Sequence, residues 1–160
     1  MSRTRKPSLT HVNASGAARM VDVTDKDRTA REAVAEAFVR CAPATVALVR
    51  DKRVPKGDVL AVARIAGIAG AKQTPQLVPL CHPVSLTGVD VDVDVRDDGL
   101  RIVATARAQD RTGVEMEAMA AAGAAALAVY DMLKAAERGI TVEGWRLLRK
   151  SGGRSGTWKR

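Results

Sequence analysis

The chain has 160 residues, 46% of them hydrophobic but only 2% aromatic, with a formal charge of +8 and a sequence pI near 10.1. That length suits one domain with a real core, the charge predicts a partner or substrate that is negative, and two cysteines exclude a secreted disulfide framework or a repeated metal-ligand pattern. No apolar run is free of charge long enough to span a bilayer and the start has no signal-peptide apolar region, so a cytoplasmic protein without membrane contact is expected.

Residues 1–18 read as an irregular, flexible arm, with Arg3, Arg5 and Lys6 among its charges, and Met20–Thr24 reads as a short strand. Thr29–Arg40 is ambiguous: its Ala and Glu content favours a helix, whereas alternation at Ala33, Ala35, Ala37 and Val39 suits a strand. Pro43–Arg50 reads as a short helix with Pro43 in its first turn. A longer helix follows Lys56-Gly57, with Asp58 as its N-cap, and runs to about Lys72. Pro75, Pro79 and Pro83 then forbid a regular helix until a strand starts near Ser85.

From Val89 to Val95 four valines alternate with three aspartates, the pattern of a half-buried strand. Asp97-Asp98-Gly99 supplies a hairpin turn, and the returning strand Leu100–Gln109 carries Arg101, Thr105 and Arg107 on its polar side, where the arginines can meet the aspartates. A long Ala-rich helix is predicted from Gly113 to about Arg138, closed by Gly139 at C′. Its centre, Ala120–Ala126, is small on every face and can pack closely on more than one side. With so few aromatics to fill the core, this favours a homo-oligomer. A last strand, Ile140–Leu148, leads into a basic Gly/Ser tail over 150–160. With Thr29–Arg40 taken as a strand, the order is that of a ferredoxin-like α+β fold, an antiparallel sheet with helices on one face.

Several side chains invite a chemical reading. At about 100° per residue, Met116, Glu117, Asp131 and Lys134 fall on one arc of the long helix, a surface ion pair or a site. Lys56 and Lys72 bracket the preceding helix, and Lys134 and Lys150 add cations sufficient for a polyphosphate. The stiff loop Leu80-Cys81-His82 between two prolines can present polar groups. His82 is either a loop histidine satisfied by a carbonyl or a group for substrate contact and proton transfer. A Cys81–His82 zinc pair lacks two ligands, and no local feature lowers the Cys81 pKa for nucleophilic attack.

The segments HVNASGAARMVDVT, KGDVLAVARIAGIAGAK, LVPLCHPVSLTGVDV, TGVEMEA, YDMLKA and KSGGRSG occur in this order over roughly His11 to Trp158. In these the chain closely resembles the family of molybdenum cofactor biosynthesis protein C, the cyclic pyranopterin monophosphate synthases. The resemblance implies a lyase that converts (8S)-3′,8-cyclo-7,8-dihydroguanosine 5′-triphosphate to cyclic pyranopterin monophosphate and pyrophosphate. It also implies a ferredoxin-like subunit in a hexamer, a trimer of dimers with active sites at the dimer interface, and it resolves Thr29–Arg40 as a strand.

By the same resemblance Asp131 is the catalytic acid/base, with Lys56 and Lys134 as catalytic or phosphate-directed partners. Leu80, Cys81, His82, Met116 and Glu117 match the substrate-binding positions, and Lys72 and Lys150 match family cations. The loop at 80–82 is expected to face Asp131 and its lysines. Arg154 stands where the family usually has lysine. No metal site is implied, and magnesium accompanying the triphosphate is left open. The alternative from another class is a basic ferredoxin-like module that binds RNA without catalysis, against which the hairpin strands offer no aromatic platform.

Overall fold

The computed structural model describes residues 10–160, so Arg3, Arg5 and Lys6 of the basic arm lie outside the described residues. The elements are β1 (Thr29–Arg40), α1 (Pro43–Arg50), α2 (Val59–Lys72), α3 (Thr74–Leu77), β2 (Leu86–Val95), β3 (Gly99–Asp110), α4 (Glu115–Leu133), β4 (Thr141–Ser151) and β5 (Trp158–Lys159). They form one antiparallel sheet in the order β2-β3-β1-β4-β5, which is the ferredoxin-like arrangement with a short fifth strand added at the edge.

The ambiguous segment is a full central strand. β1 pairs with β3 from Thr29↔Asp110 to Arg40↔Gly99 and with β4 on its other side. Period-two burial decided this over helix propensity: Ala33, Ala35, Ala37 and Val39 are buried against the helices, where they meet Leu100, Ile102 and Ala104 of the same layer. The Val91 and Val93 side chains join that core while Asp90, Asp92 and Asp94 point away from it.

The opposite sheet face is tied by ion pairs. Glu36 accepts from Arg101 at 2.6 Å and Arg146 at 2.7 Å, and Glu32 accepts from Arg107 at 2.9 Å and Arg149 at 2.6 Å. Arg107 also meets Asp90, as the hairpin pattern predicts, but Arg101 turns to Glu36 on β1 instead of to Asp94. Burial raises the proton affinity of Glu36, yet the two guanidiniums outweigh it and hold the carboxyl below its usual range.

Helix α2 lies against α4 across glycines. A Cβ on Gly70 would fall 2.5 Å from the Ala124 Cβ and 2.9 Å from the Ala120 carbonyl, so only glycine permits this approach. The small centre of α4 is used within the chain, with α2 on one side, the sheet on another and Trp145 of β4 over Gly123. Helix α4 is long and apolar enough to cross a membrane by length and composition, and half of it is buried in this packing.

Four local expectations are corrected. Met20–Thr24 forms no strand; the Asp22 side chain accepts from the amide and hydroxyl of Thr24 and turns the chain there. Pro75 does not prevent a short helix, because it sits in the first turn of α3, where no amide donor is needed. Helix α4 starts at Glu115 and ends at Leu133, with Lys134 as its C-cap and not Gly139 at C′; Gly139 has no positive φ. Strand β4 begins at Thr141 and extends to Ser151, held by pairing with β1 and β5.

Candidate active site

At the C-terminal end of α4 a carboxylate is clamped between two lysines. Asp58 caps α2 by accepting from the Ala61 amide at 3.0 Å, which fixes the preceding turn and with it Lys56. The Lys56 ammonium then reaches Asp131 Oδ2 at 2.8 Å and its carbonyl at 3.0 Å. Lys134, one helical turn on, meets Oδ1 at 2.8 Å. The bonds from Lys134 and Lys56 hold the Asp131 carboxyl well below its usual range, at about 2, and Lys134 rises in turn. All three side chains are open to water, where ion pairs are weakly held, so an anion can draw the lysines away from Asp131.

The N-terminal end of α4 is different. Here a pocket of about 400 Å³ brings together His11, Lys26, Leu80, Cys81, His82, Met116 and Glu117. The His82 ring donates from Nε2 to the Val21 carbonyl at 2.5 Å, which fixes that tautomer and ties the loop to the N-terminal segment. Glu117 is only 3% exposed, and burial, with Glu115 and Asp110 nearby, pushes its carboxyl up to about 7. Burial, together with Glu117 and Glu115, also raises the Cys81 thiol, so it is a poor nucleophile.

Lys150 joins this end. It pairs with Glu115 at 3.1 Å and donates to the Ser155 hydroxyl at 2.7 Å. Lys72 lies exposed at the C-terminus of α2. Among the described residues no three His, Cys, Asp or Glu side chains converge as a metal site.

The fold therefore gathers the sequence candidates other than Lys72 into two groups, not one. Met116 and Glu117 share an arc with Asp131 and Lys134, but at 1.5 Å per residue Glu117 and Asp131 stand about 21 Å apart along the helix. The expectation that the loop at 80–82 faces Asp131 and its lysines is thus not met within one chain. Sequence reasoning also missed Lys26, Thr29 and Arg111, which with Gly152–Ser155 line a second cleft of about 500 Å³ beside the first. The KSGGRSG segment, with Arg154 in the position where the family usually has lysine, supplies that loop.

An α+β subunit of ferredoxin-like order gathers cations at both ends of one buried helix, an arrangement suited to small anionic molecules. Comparison with known sequences narrows the class. Residues 20–153 match the MoaC family, and the chain belongs to it. It is 57% identical over 152 residues to the cyclic pyranopterin monophosphate synthase of Streptomyces coelicolor, an alignment covering 95% of this chain and 89% of that one. The synthase of Thermomicrobium roseum is 56% identical, covering 95% and 93%. That of a Nocardioides species is 55% identical, covering 95% of each.

Proposed function

We propose that this chain is a cyclic pyranopterin monophosphate synthase of molybdenum cofactor biosynthesis, a lyase that rearranges the cyclic dihydroguanosine triphosphate and releases pyrophosphate. Membership of the MoaC family over most of the chain supports the reading, and the observation that carries it in the structure is Asp131 held between Lys56 and Lys134.

The two ends of α4 divide the chemistry. Opening the purine ring and moving a carbon need groups that trade protons near neutrality, and the buried Glu117 carboxyl is matched to that pH. Asp131 stays ionised while both lysines hold it. When phosphate oxygens draw Lys56 or Lys134 away, its proton affinity rises and it becomes the partner acid/base, with the lysines stabilising charge on the departing oxygens. Leu80, Cys81, His82 and Met116 shape the pocket for the base and sugar, and Lys150 and Lys72 add charge for the phosphates. No resident metal belongs to this reading; magnesium would arrive with the triphosphate as part of the substrate.

One substrate cannot bridge about 21 Å of helix, so the site is shared between copies of the chain, Asp131 and its lysines from one and the Glu117 pocket from its partner. Exposed Ile65, Leu77, Leu127 and Trp145 supply apolar surface for such contacts. The assembly is a hexamer, a trimer of dimers, working in the cytoplasm.

Incubating purified protein with the cyclic triphosphate and following pyrophosphate together with pterin tests the reading. Both products are expected from wild type. An inactive wild type, or full activity in Asp131→Asn and Lys56→Ala, overturns it. The RNA-binding alternative predicts retention of RNA at moderate salt, whereas the sheet face, filled by carboxylate–arginine pairs, predicts none.

A further inference from the structure

Helix α1 is eight residues long and carries no cap of its own: Ala42 occupies the N-cap, no side chain there bonds an amide, and the first turn holds no acid. A helix this short depends on fastening from outside. The fastening comes from beyond the C-terminal end of α4, where Glu137 Oε2 accepts the Ala42 amide at 2.9 Å and the Thr45 hydroxyl at 2.7 Å. In a capping box an acid at the third helical position reaches back to the N-cap amide. Here Thr45 holds that position, and an acid 92 residues later in the chain supplies the carboxylate, at the helix end whose dipole favours negative charge.

The place of Glu137 in the chain gives these bonds a consequence for the site. It follows Lys134, the C-cap of α4, in a turn closed by the Ala136 and Glu137 amides on the Leu133 carbonyl. Leu133 is fully buried, so that turn is fixed to the core. Past the other end of α1 the chain is equally stiff: the Asp51, Lys52 and Arg53 amides bond the Ala47, Val49 and Leu48 carbonyls, Val54 is buried, and the Gly57 amide closes a turn on the Val54 carbonyl. Lys56 sits in that turn. Glu137 thus joins the segment that carries Asp131 and Lys134 to the helix that leads into Lys56. It enters no ion pair among the described residues, so no cation competes with α1 for it.

We propose that Glu137 is a positioning residue for the clamp of Lys56, Asp131 and Lys134: by capping α1 across the chain it sets where the Lys56 ammonium stands relative to the Asp131 carboxylate. It acts through Lys56 and not on substrate. Its effect on turnover rests on the synthase reading, whereas its effect on Lys56 rests on the geometry alone.

The test compares Glu137→Ala, Glu137→Gln, Thr45→Val and a core control, Ile102→Val, in the full chain. Two quantities are read: turnover of the cyclic triphosphate, and the rate at which limiting acetic anhydride acetylates Lys56 relative to exposed Lys52, by mass spectrometry. Glu137→Ala releases Lys56 from an exposed ion pair, and its relative acetylation should rise roughly two- to fivefold. Turnover should fall about a hundredfold, the order of loss when a catalytic group is displaced by about an ångström. Glu137→Gln keeps an oxygen for both donors and should hold both readouts near wild type. Thr45→Val removes one of the two bonds and should fall between. Ile102→Val should lower the melting temperature and move neither readout. A lower melting temperature in Glu137→Ala with turnover and acetylation as in wild type, or Glu137→Gln no better than Glu137→Ala, overturns the proposal. If Glu137→Ala does not fold, Thr45→Val decides by the same two readouts. If wild type makes neither pterin nor pyrophosphate the synthase reading has failed, and Lys56 acetylation still decides the positioning.

Discussion

The two ends of α4 carry the same kind of group, a carboxyl, in opposite states. Glu117 is enclosed by apolar packing and other acids and holds its proton up to about pH 7; Asp131 stands in water between two ammoniums and gives up its proton at about 2. Neither residue type nor helix face sets this difference. Burial and neighbours set it, and they follow from what each helix end docks against: the Leu80–His82 loop at one, the turn carrying Lys56 at the other.

Removing the clamp tests the contrast most strongly. Asp131→Asn or Lys56→Ala should lower turnover by about a hundred- to ten-thousandfold with little change in melting temperature, as expected for exposed groups used in proton transfer. Mixing inactive Asp131→Asn with inactive Glu117→Gln after co-refolding sharpens it further. If the ends serve one site across two copies, roughly a quarter of the sites are intact, and activity returns; sites within single chains give none.

Next comes pH. A carboxyl whose folded pKa lies above its unfolded value, about 7 against 4.5 for Glu117, binds more protons in the folded state. Stability from this group is fully present below about pH 4.5 and falls as pH rises through 7, by up to about 3 kcal/mol. Denaturant titrations at several pH values should show that fall in wild type and its loss in Glu117→Gln. Asp131 has the opposite sign: its favourable ionised state is present above its unfolded pKa of 3.8 and is lost as pH falls toward 2.

Smaller effects probe what holds the two ends apart. Gly70→Ala drives a methyl into Ala124 and the Ala120 carbonyl and should cost about 1–3 kcal/mol in unfolding free energy, read from the denaturant midpoint. Asp58→Ala removes the cap that fixes the Lys56 turn and should cost about 1 kcal/mol. A loss of turnover beyond that stability change is expected if Lys56 loses its placement.

Much of the fold is legible in residue order. The Val–Asp alternation marks β2, Asp58 marks the start of α2, and the DG pair marks the hairpin, because each is a local rule with a local cause. β1 was not legible by propensity. Its alanines favour a helix until the sheet offers a buried face to fill, and only pairing with β3 and β4 supplies that. The end of α4 was misjudged for a related reason: composition continues past Leu133, but the chain turns at Lys134 to carry the following strand back alongside β1.

For the site, the sequence by itself determined the motifs, the family they resemble and the stock of lysines and carboxyls. Those depend on side-chain chemistry, which the chain carries in any conformation. Helical periodicity also placed four candidates on one arc. The 14-residue separation of Glu117 and Asp131 also sets them about 21 Å apart along that helix. Only the tertiary structure decided that Glu117 is buried while Asp131 is not, and that Arg111 and Thr29 meet the Gly152–Arg154 loop around one cleft. Burial and convergence of remote segments arise from packing, and a one-dimensional pattern does not contain them.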